Sequence, residues 1–200
     1  MKIGPKFKIA RRLGAPVFEK TQGPKYALSL ARKEKTKKFT RAKSEFGQSL
    51  NEKQKARFTY GISEKQFKSY VLKALKAPNP TQKLFSLLET RLDNVLFRSG
   101  FTKSRAQGRQ GASHGHAMVN NRRVTVPSIQ LKAGDVISLR GGSAQSPLFA
   151  EVAERMKALS VPAWIEINPE KREAKVVGEP VYVSGEQVFD LGTVIEFYNR

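Results

Sequence analysis

The sequence predicts an α+β protein: a helical, basic N-terminal lobe with a strand-rich C-terminal tail, and a small α/β domain inserted between them. Apolar residues recur at helical spacing in the first half of the chain, and polar and apolar residues alternate in its last third. Lys and Arg concentrate towards the N-terminal end. Hydrophobic residues make up 39% of the 200 residues, which is enough to build packed cores.

The charge is large and graded. Lys and Arg number 37 against 17 Asp and Glu, a net charge of +20. The net charge is +16 over residues 1–80, +7 over 81–140 and −3 over 141–200. Such an excess is a cost in self-repulsion, so a polyanionic partner is expected, with nucleic acid favoured over an anionic membrane. The acidic tail is expected to pack or to contact protein.

Several classes of protein are disfavoured by composition. The chain has no Cys, which excludes disulfides, thiolate metal sites and Cys nucleophiles. It has no apolar signal core at its start, and no apolar run approaches the roughly 18 residues of a membrane span. No helix sets a Lys/Arg face against Trp and bulky apolar residues, as a membrane-surface helix would. We therefore expect an intracellular protein.

Residues 1–45 are predicted to form a basic extended arm. Glycines and prolines interrupt any regular period, while phenylalanines such as Phe7, Phe18 and Phe39 suggest that parts of it dock on a core. Such an arm would order against phosphates. Its candidate contacts are Lys2, Lys6, Lys8, Arg11, Arg12, Lys33, Lys35, Lys37, Lys38, Arg41 and Lys43.

Residues 46–89 are predicted to be a helical subdomain. Ser49 with Glu52, and Ser63 with Gln66, fit the capping box that begins a helix. Apolar residues from Phe67 onwards form a stripe at helical spacing, and a further helix is predicted over about 81–99. The basic residues proposed as contacts here are Lys53, Lys55, Arg57, Lys65 and Lys68.

Residues 90–140 are predicted to be a small α/β unit. Ser104 and Gln107 form a third capping box, and Asn120-Asn121 suits the two-residue turn of a β-hairpin. A second turn at 132–135 leads into a strand over 136–139. Helix N-terminus and hairpin arginines together would suit an RNA backbone read by shape. The candidates are Lys103, Ser104, Arg105, Arg109, His114, His116, Arg122 and Arg123.

Residues 141–200 are predicted to pack back on the N-terminal lobe as a helix followed by strands. One short helix is predicted over 147–158. Alternating acidic and apolar residues predict strands at 164–167, 174–177, 181–183 and 194–198.

Three patterns in the sequence resemble catalytic or metal sites. Residues 111–115 match G-x-S-x-G, but a polar helix precedes them and no His follows His116. His114 and His116 without Cys or a nearby carboxylate cannot complete a zinc site. Arg91-Leu92-Asp93 resembles a segment of some pseudouridine synthases, in which the Asp is the nucleophile, although Asp93 could equally pair with an arginine. We predict no enzyme, metal or cofactor, with an RNA-modifying enzyme of the pseudouridine synthase type as the alternative.

Short segments along nearly the whole chain carry a resemblance to a known family. They are 4–12, 46–50, 52–57, 60–61, 64–67, 87–89, 91–98, 104–116, 119–120, 136–137 and 194–198. In these segments the chain resembles bacterial-type small-subunit ribosomal protein number four, the S4 family. The resemblance identifies 90–140 as an S4-like RNA-binding domain.

The resemblance implies a non-enzymatic, ribosome-bound cytoplasmic protein. Family members bind 16S ribosomal RNA at a junction in its 5′ domain and help to nucleate assembly of the small subunit. They lie near the channel through which messenger RNA enters, contact ribosomal protein number five and influence decoding accuracy, and some repress their own mRNA.

This chain departs from the family pattern in four places, one of which is the tolerable change of the hairpin turn from Asn-Gly to Asn120-Asn121. It lacks the cysteines that hold zinc in the N-terminal arm of many relatives, so packing and RNA must order its arm. Gly108 and Gly111 lie in the predicted helix after Ser104, and each interior Gly costs roughly 1 kcal/mol relative to Ala. We expect that helix to be short or partly frayed without RNA. The segment 181–192 diverges most.

Overall fold

The computed structural model of the chain describes residues 3–34 and 44–199. Within them lie ten α-helices and five β-strands, so the fold is α+β as predicted. The chain forms two compact units. We call Met1–Leu84 with Val183–Arg200 the N-terminal unit, and Phe85–Tyr182 the central unit. None of the described helices combines the length and apolar character needed to cross a membrane.

The described part of the predicted arm is helical, which corrects the expectation of an extended arm. It contains α1 (Lys6–Leu13), a 3-10 turn (Glu19–Thr21) and α2 (Pro24–Glu34). Gly14 ends α1 in the left-handed conformation, with φ +71°. The glycines and prolines therefore punctuate short helices instead of preventing them. These helices enclose a small core of Ala10, Leu13, Ala15, Val17, Phe18 and Tyr26.

Helices α3 (Glu45–Tyr60) and α4 (Glu64–Ala74) follow. The predicted start of the first helix at Ser49 is wrong, because Ser44 caps α3 by accepting a hydrogen bond from Gly47 N at 3.2 Å. Ser49 lies inside the helix, where its hydroxyl donates to Glu45 O. For α4 the predicted cap is confirmed, since Ser63 Oγ accepts from Gln66 N at 3.3 Å.

The predicted single helix over 81–99 is two helices, α5 (Pro80–Glu89) and α6 (Leu92–Arg98). The break lies at Arg91, whose backbone is extended at φ −64° and ψ 137° and forms a bridge to Gln130. The apolar period runs through both helices, so spacing alone does not show the break. A long-range backbone contact decides it.

The central unit contains one antiparallel sheet. Its strands are β1 (Ala117–Val119), β2 (Arg122–Arg123), β3 (Val136–Leu139), β4 (Ile165–Asn168) and β5 (Glu173–Val176), in the order β2-β1-β3-β5-β4. Asn120 and Asn121 have φ of 50° and 62°, which confirms the predicted hairpin turn. Gly134, at φ +95°, occupies the predicted turn before β3.

Helices α7 (Arg105–Ser113), α8 (Gly141–Ala144) and α9 (Val152–Ala158) complete the central unit, with a 3-10 turn at Pro147–Phe149 in place of the first part of the predicted 147–158 helix. Because β5 pairs with β3, the β4–β5 hairpin, which was expected with the N-terminal lobe, is part of the central sheet. The core of this unit buries Leu92, Leu96, Phe101, Ile137, Phe149, Met156 and Trp164.

The end of the chain is a helix, α10 (Leu191–Asn199), where a strand was predicted over 194–198. Asp190 supports its first turn by accepting hydrogen bonds from Gly192 N and Thr193 N at 3.0 and 3.1 Å. The helix packs against α3. The apolar run is too short to distinguish helix from strand by its period, and packing decides between them. Residues 181–183, also predicted as a strand, have no regular structure.

Candidate nucleic-acid interface

The start of α7 supplies the first part of a cationic surface in the central unit. Ser104 Oγ accepts a hydrogen bond from Gln107 N at 3.2 Å. Gln107 Oε1 accepts in turn from Lys103 N at 2.8 Å, one residue before the position that a standard capping box uses. The cap fixes the direction in which α7 leaves the loop. The N-terminal end of a helix favours phosphate, because its amide groups and dipole are positive there.

Arg105 and Arg109 lie one turn apart on α7. Arg105 Nε donates to Asn94 Oδ1 at 2.7 Å, and its guanidinium carbon lies 4.6 Å from the centre of the Phe97 ring. Arg109 Nη1 lies 3.8 Å from Asp93 Oδ2, and 38% of the Arg109 side chain is exposed. Both arginines are therefore held from the α6 side while remaining at the surface of α7.

Two buried carboxylates beside α6 each bind a further arginine. Arg91 Nε and Nη2 donate to the two carboxylate oxygens of Asp93 at 3.0 and 2.6 Å, and both side chains are buried. Arg98 Nε and Nη2 donate to Glu89 in the same forked way, at 2.9 and 3.0 Å. The sequence pattern left Asp93 as a nucleophile or an ion-pair partner, and the structure places it in an ion pair.

The β1–β2 hairpin supplies the second part of the cationic surface. Arg122 and Arg123 are both exposed. Arg123 Nη2 donates to His114 O at 3.3 Å, and its guanidinium lies against Gly115. A Cβ at Gly115 would collide with Arg123 Nε and lie 2.6 Å from Nη2. The missing side chain of Gly115 thus leaves room for Arg123 beside the end of α7.

The two histidines have different environments. His114 is exposed, and its ring centre lies 5.8 Å from that of His116. His116 is partly buried: its Nδ1 lies 2.9 Å from Ser143 Oγ, and its ring meets Phe149 edge to face. His114 is therefore the more exposed of the two histidines. Across residues 3–34 and 44–199, no three His, Cys, Asp or Glu side chains lie close enough to hold a metal ion.

Lys103 stands at the margin of this surface. Its Nζ lies 2.8 Å from Glu151 Oε2, and both side chains are largely exposed. The hydrogen bond and the charge of Lys103 lower the pKa of Glu151. Because an exposed pair of this kind is weak, Lys103 can exchange Glu151 for a phosphate at little cost.

Three basic residues proposed on α3 serve the fold. Lys53 is buried, with Nζ 2.8 Å from Glu64 Oε1 and 4.8 Å from the centre of the Phe197 ring. Lys55 pairs with Glu52 at 2.6 Å, and Arg57 approaches Glu64 at 3.6 Å. Burial and pairing make Lys53 poorly accessible to RNA, and Lys55 and Arg57 are only 17% exposed each.

Glu64 is the carboxylate that pairs with Lys53 and Arg57. Burial alone would raise its pKa, but hydrogen bonds from Lys53 and Tyr198 and the charges of Lys53 and Arg57 outweigh it and lower the pKa. Burial and the hydrogen bond to Glu64 raise the pKa of Tyr198. Glu64 thereby links α3 and α4 to the C-terminal helix α10.

The remaining candidates of the N-terminal unit are described in part. Lys8, Arg12, Lys65 and Lys68 are exposed. Lys6 and Arg11 are partly buried: Lys6 Nζ lies 5.6 Å from the centre of the Phe18 ring, and Arg11 Nη1 donates to Ser29. Lys33 lies in α2. Outside the described residues lie Lys2, Lys35, Lys37, Lys38, Arg41 and Lys43.

The structure adds residues that were not among the predicted contacts. Lys73 and Lys76 are exposed and line one shallow groove on α4 together with Lys65 and Lys68, as their helical spacing could have indicated. Asn94 holds Arg105 through a hydrogen bond, and Gly115 leaves space for Arg123. Nothing in their spacing points to these two roles, because both depend on contacts between separate elements.

Comparison with known families and proteins agrees with this arrangement. A model of the ribosomal protein S4/S9 N-terminal domain matches residues 1–89, and a model of the S4 domain matches residues 90–137. Proteins named small ribosomal subunit protein uS4 are similar over nearly the full chain. The protein of Persephonella marina is 41% identical over 205 residues, 98% of each chain. That of Aquifex aeolicus is 38% identical over 209 residues, 99% of this chain and 98% of its own.

A third relative, from Halothermothrix orenii, is 44% identical over 158 residues, covering 78% of this chain and 76% of its own length. The two family models together span α1 to α7, strands β1 and β2, and the start of β3, and so include the arginine surface. This chain belongs to the ribosomal protein S4 family.

Proposed function

We propose that this protein is a non-enzymatic structural constituent of the small ribosomal subunit that binds 16S ribosomal RNA directly. The observation that carries the proposal is the arginine surface of the central unit, defined by Arg105, Arg109, Arg122 and Arg123 within the S4 domain. Arginine forks match phosphate geometry and remain charged at any cellular pH.

The N-terminal unit supports the same function with a separate basic surface. Lys65, Lys68 and Lys73 project from α4, Lys76 lies just beyond its end, and Lys8 and Arg12 project from α1. Lysines of this kind act as point charges that attract the phosphate backbone without reading base sequence. In our proposal these lysines and Arg12 add affinity for any RNA, while the arginines of the S4 domain recognise the shape of the folded RNA backbone.

The finer role that we propose follows the family. The protein binds a helical junction in the 5′ domain early in assembly and helps to nucleate the small subunit. It lies near the channel through which mRNA enters, contacts ribosomal protein number five, and influences decoding accuracy. Its own mRNA is a further possible target of the same surface. Its location would be the cytoplasm, on the small subunit.

The experiment that tests direct binding is a salt titration. Affinity for a 5′-domain fragment of 16S ribosomal RNA is measured by filter binding between about 50 and about 300 mM KCl. A phosphate-dominated complex loses log K linearly with log salt, with a slope of roughly 0.7–0.9 per phosphate neutralised. A flat slope, or equal affinity for an unrelated RNA of the same length, would overturn the proposal.

Two single variants test whether the β1–β2 hairpin is part of the RNA-binding surface. Arg123→Ala removes one exposed cation of the hairpin, and Lys171→Ala removes one exposed cation from the β4–β5 turn as a matched control. We expect Arg123→Ala to weaken binding about tenfold and to lower the salt slope by about 0.7–0.9, while Lys171→Ala leaves both unchanged. Equal losses for the two variants would show that only net charge matters.

A further inference from the structure

Asn94 is buried between a carboxylate and an arginine, and its two amide atoms face opposite partners. Its Nδ2 donates to Glu89 O at 2.8 Å and to Glu89 Oε2 at 3.1 Å. Its Oδ1 accepts from Arg105 Nε at 2.7 Å. Only 1% of the Asn94 surface is exposed. An amide nitrogen only donates and an amide oxygen only accepts, so Glu89 determines which end of the amide faces Arg105.

Glu89 is itself held in place. It is 1% exposed, and Arg98 binds its two carboxylate oxygens with a forked pair of hydrogen bonds at 2.9 and 3.0 Å. A carboxylate that is buried and bound on both oxygens cannot rotate freely. The partly exposed Arg98 and the buried Glu89 and Asn94 therefore form a connected support that ends at Arg105.

Two restraints act on the Arg105 guanidinium. The hydrogen bond to Asn94 fixes the position of Nε, and the Phe97 ring, 4.6 Å from the guanidinium carbon, restricts its plane. Asn94 and Phe97 both belong to α6, whereas Arg105 is the first residue of α7. These two contacts restrict the directions in which the guanidinium plane can turn.

We propose that Asn94 is a positioning residue that orients Arg105 towards one phosphate of the bound RNA, with Glu89 setting the direction of the Asn94 amide. The proposal rests on the RNA-binding function proposed above and assigns one residue within it a role. A pre-organised arginine loses less conformational entropy on binding than one that is free to rotate. Asn94 does not touch the RNA in this scheme, and its effect passes through Arg105.

The first test needs no RNA. The Nε–H proton of Arg105 is followed by NMR in the full-length protein, with Asn94→Ala compared with the wild type. We expect a slowly exchanging Nε–H signal in the wild type, because the proton is in a hydrogen bond, and exchange at least tenfold faster in Asn94→Ala. An unchanged exchange rate would overturn the proposal whatever the function of the protein.

The second test measures coupling in RNA binding. Asn94→Ala, Arg105→Ala and the double variant are titrated with the 5′-domain fragment of 16S ribosomal RNA. We expect each single variant to lose affinity about tenfold, and the double variant to bind no more weakly than Arg105→Ala. Losses that multiply would show that Asn94 acts independently of Arg105 and would refute the proposal.

A conservative variant and a structural control separate orientation from charge and from stability. Arg105→Lys keeps the charge but lacks the fork, so we expect it to bind almost as weakly as Arg105→Ala. Ser99→Ala removes a buried hydrogen bond to Val95 O, just beyond the end of α6, without touching Arg105. We expect it to lower the melting temperature and leave RNA affinity unchanged. Wild-type affinity for Arg105→Lys would contradict the proposed orientation.

The outcomes for function and for positioning are distinct. If the wild type fails to bind the fragment, the proposed function fails, while the Nε–H measurement still decides whether Asn94 holds Arg105. If the wild type binds with a steep salt dependence and Asn94→Ala binds equally well, the function stands and the positioning role is refuted.

Discussion

Gly115→Ala should weaken RNA binding by displacing Arg123. Gly115 lies between the two histidines that follow α7, with φ +70°, in the left-handed region that side chains other than glycine rarely adopt. The added Cβ would occupy the space now filled by the Arg123 guanidinium, 2.6 Å from Nη2. One methyl group therefore has two effects: it strains the backbone and moves an arginine of the proposed RNA surface.

The two effects differ in size and in what they change. The left-handed backbone costs an L residue with a side chain about 1–2 kcal/mol. Moving Arg123 costs little stability, because the group is the end of a flexible, exposed side chain whose hydrogen bond to His114 O is 3.3 Å long. It should nevertheless cost RNA affinity about tenfold, which is the value of one well-placed phosphate contact.

Gly134→Ala is the matched control. Gly134 has φ +95° in the same unit, and a Cβ there would meet no atom within 4 Å. Both variants should lower the melting temperature of the central unit, Phe85–Tyr182. For a domain of up to about 100 residues, each kcal/mol of lost stability lowers it by about 4–8 °C. Only Gly115→Ala should weaken binding to the 5′-domain RNA, as measured by filter binding well below both melting temperatures.

The reasoning would be refuted by two results. If Gly134→Ala weakened RNA binding as much as Gly115→Ala, general destabilisation would explain the loss, and the place of Arg123 would be irrelevant. If Gly115→Ala bound RNA as tightly as the wild type, Arg123 would not need the space that Gly115 provides.

Other variants test the buried charges and the helices. Asp93→Asn removes the carboxylate charge that pairs with the buried Arg91 guanidinium, so thermal denaturation should show a loss of about 3–5 kcal/mol. The nucleoside composition of bound RNA, measured by mass spectrometry, should stay unchanged. Because the pKa of Glu64 is lowered in the folded protein, the stability that Glu64 contributes is complete above the ordinary glutamate pKa of about 4.3 and is lost as the pH falls below that value. Glu64→Gln should remove this pH dependence from the free energy of unfolding. The effect should be under about 1 kcal/mol, because Glu64 is partly exposed. Lys53→Met should leave RNA affinity within about twofold of the wild type, because Lys53 is buried in the fold. Without RNA, amides of α7 should exchange faster than those of α5, and equal protection would contradict the fraying expected from its two glycines.

Much of the central unit could be predicted from local signals. Ser104 caps α7 as its capping box indicates, and the Asn120-Asn121 turn adopts the left-handed angles that its residues tolerate. Caps and tight turns depend on hydrogen bonds and dihedral angles within a few residues, so neighbouring residues in the sequence are enough to predict them. The capping-box pattern correctly predicted the cap at Ser63 but not the one at Ser49, because Ser44, five residues earlier, caps that helix instead.

Predictions failed where long-range packing outweighed local pattern. The arm up to residue 34 is helical because its scattered apolar residues meet in one small core. The last residues form α10 because a short apolar run fits either period until Asp190 supports the first turn and α3 covers one face. The break at Arg91 depends on its bridge to Gln130, which is 39 positions away in sequence.

Composition and the order of the motifs indicate a polyanionic partner and the family. A net charge of +20, graded from the first 80 residues to an acidic tail, favours a polyanion, because charge is additive and independent of the fold. The tertiary structure decides which of these cations are exposed. It buries Lys53 against Glu64, and it holds Arg105 on Asn94 and Arg123 beside Gly115. Exposure and orientation come from contacts between distant segments, and composition does not contain them.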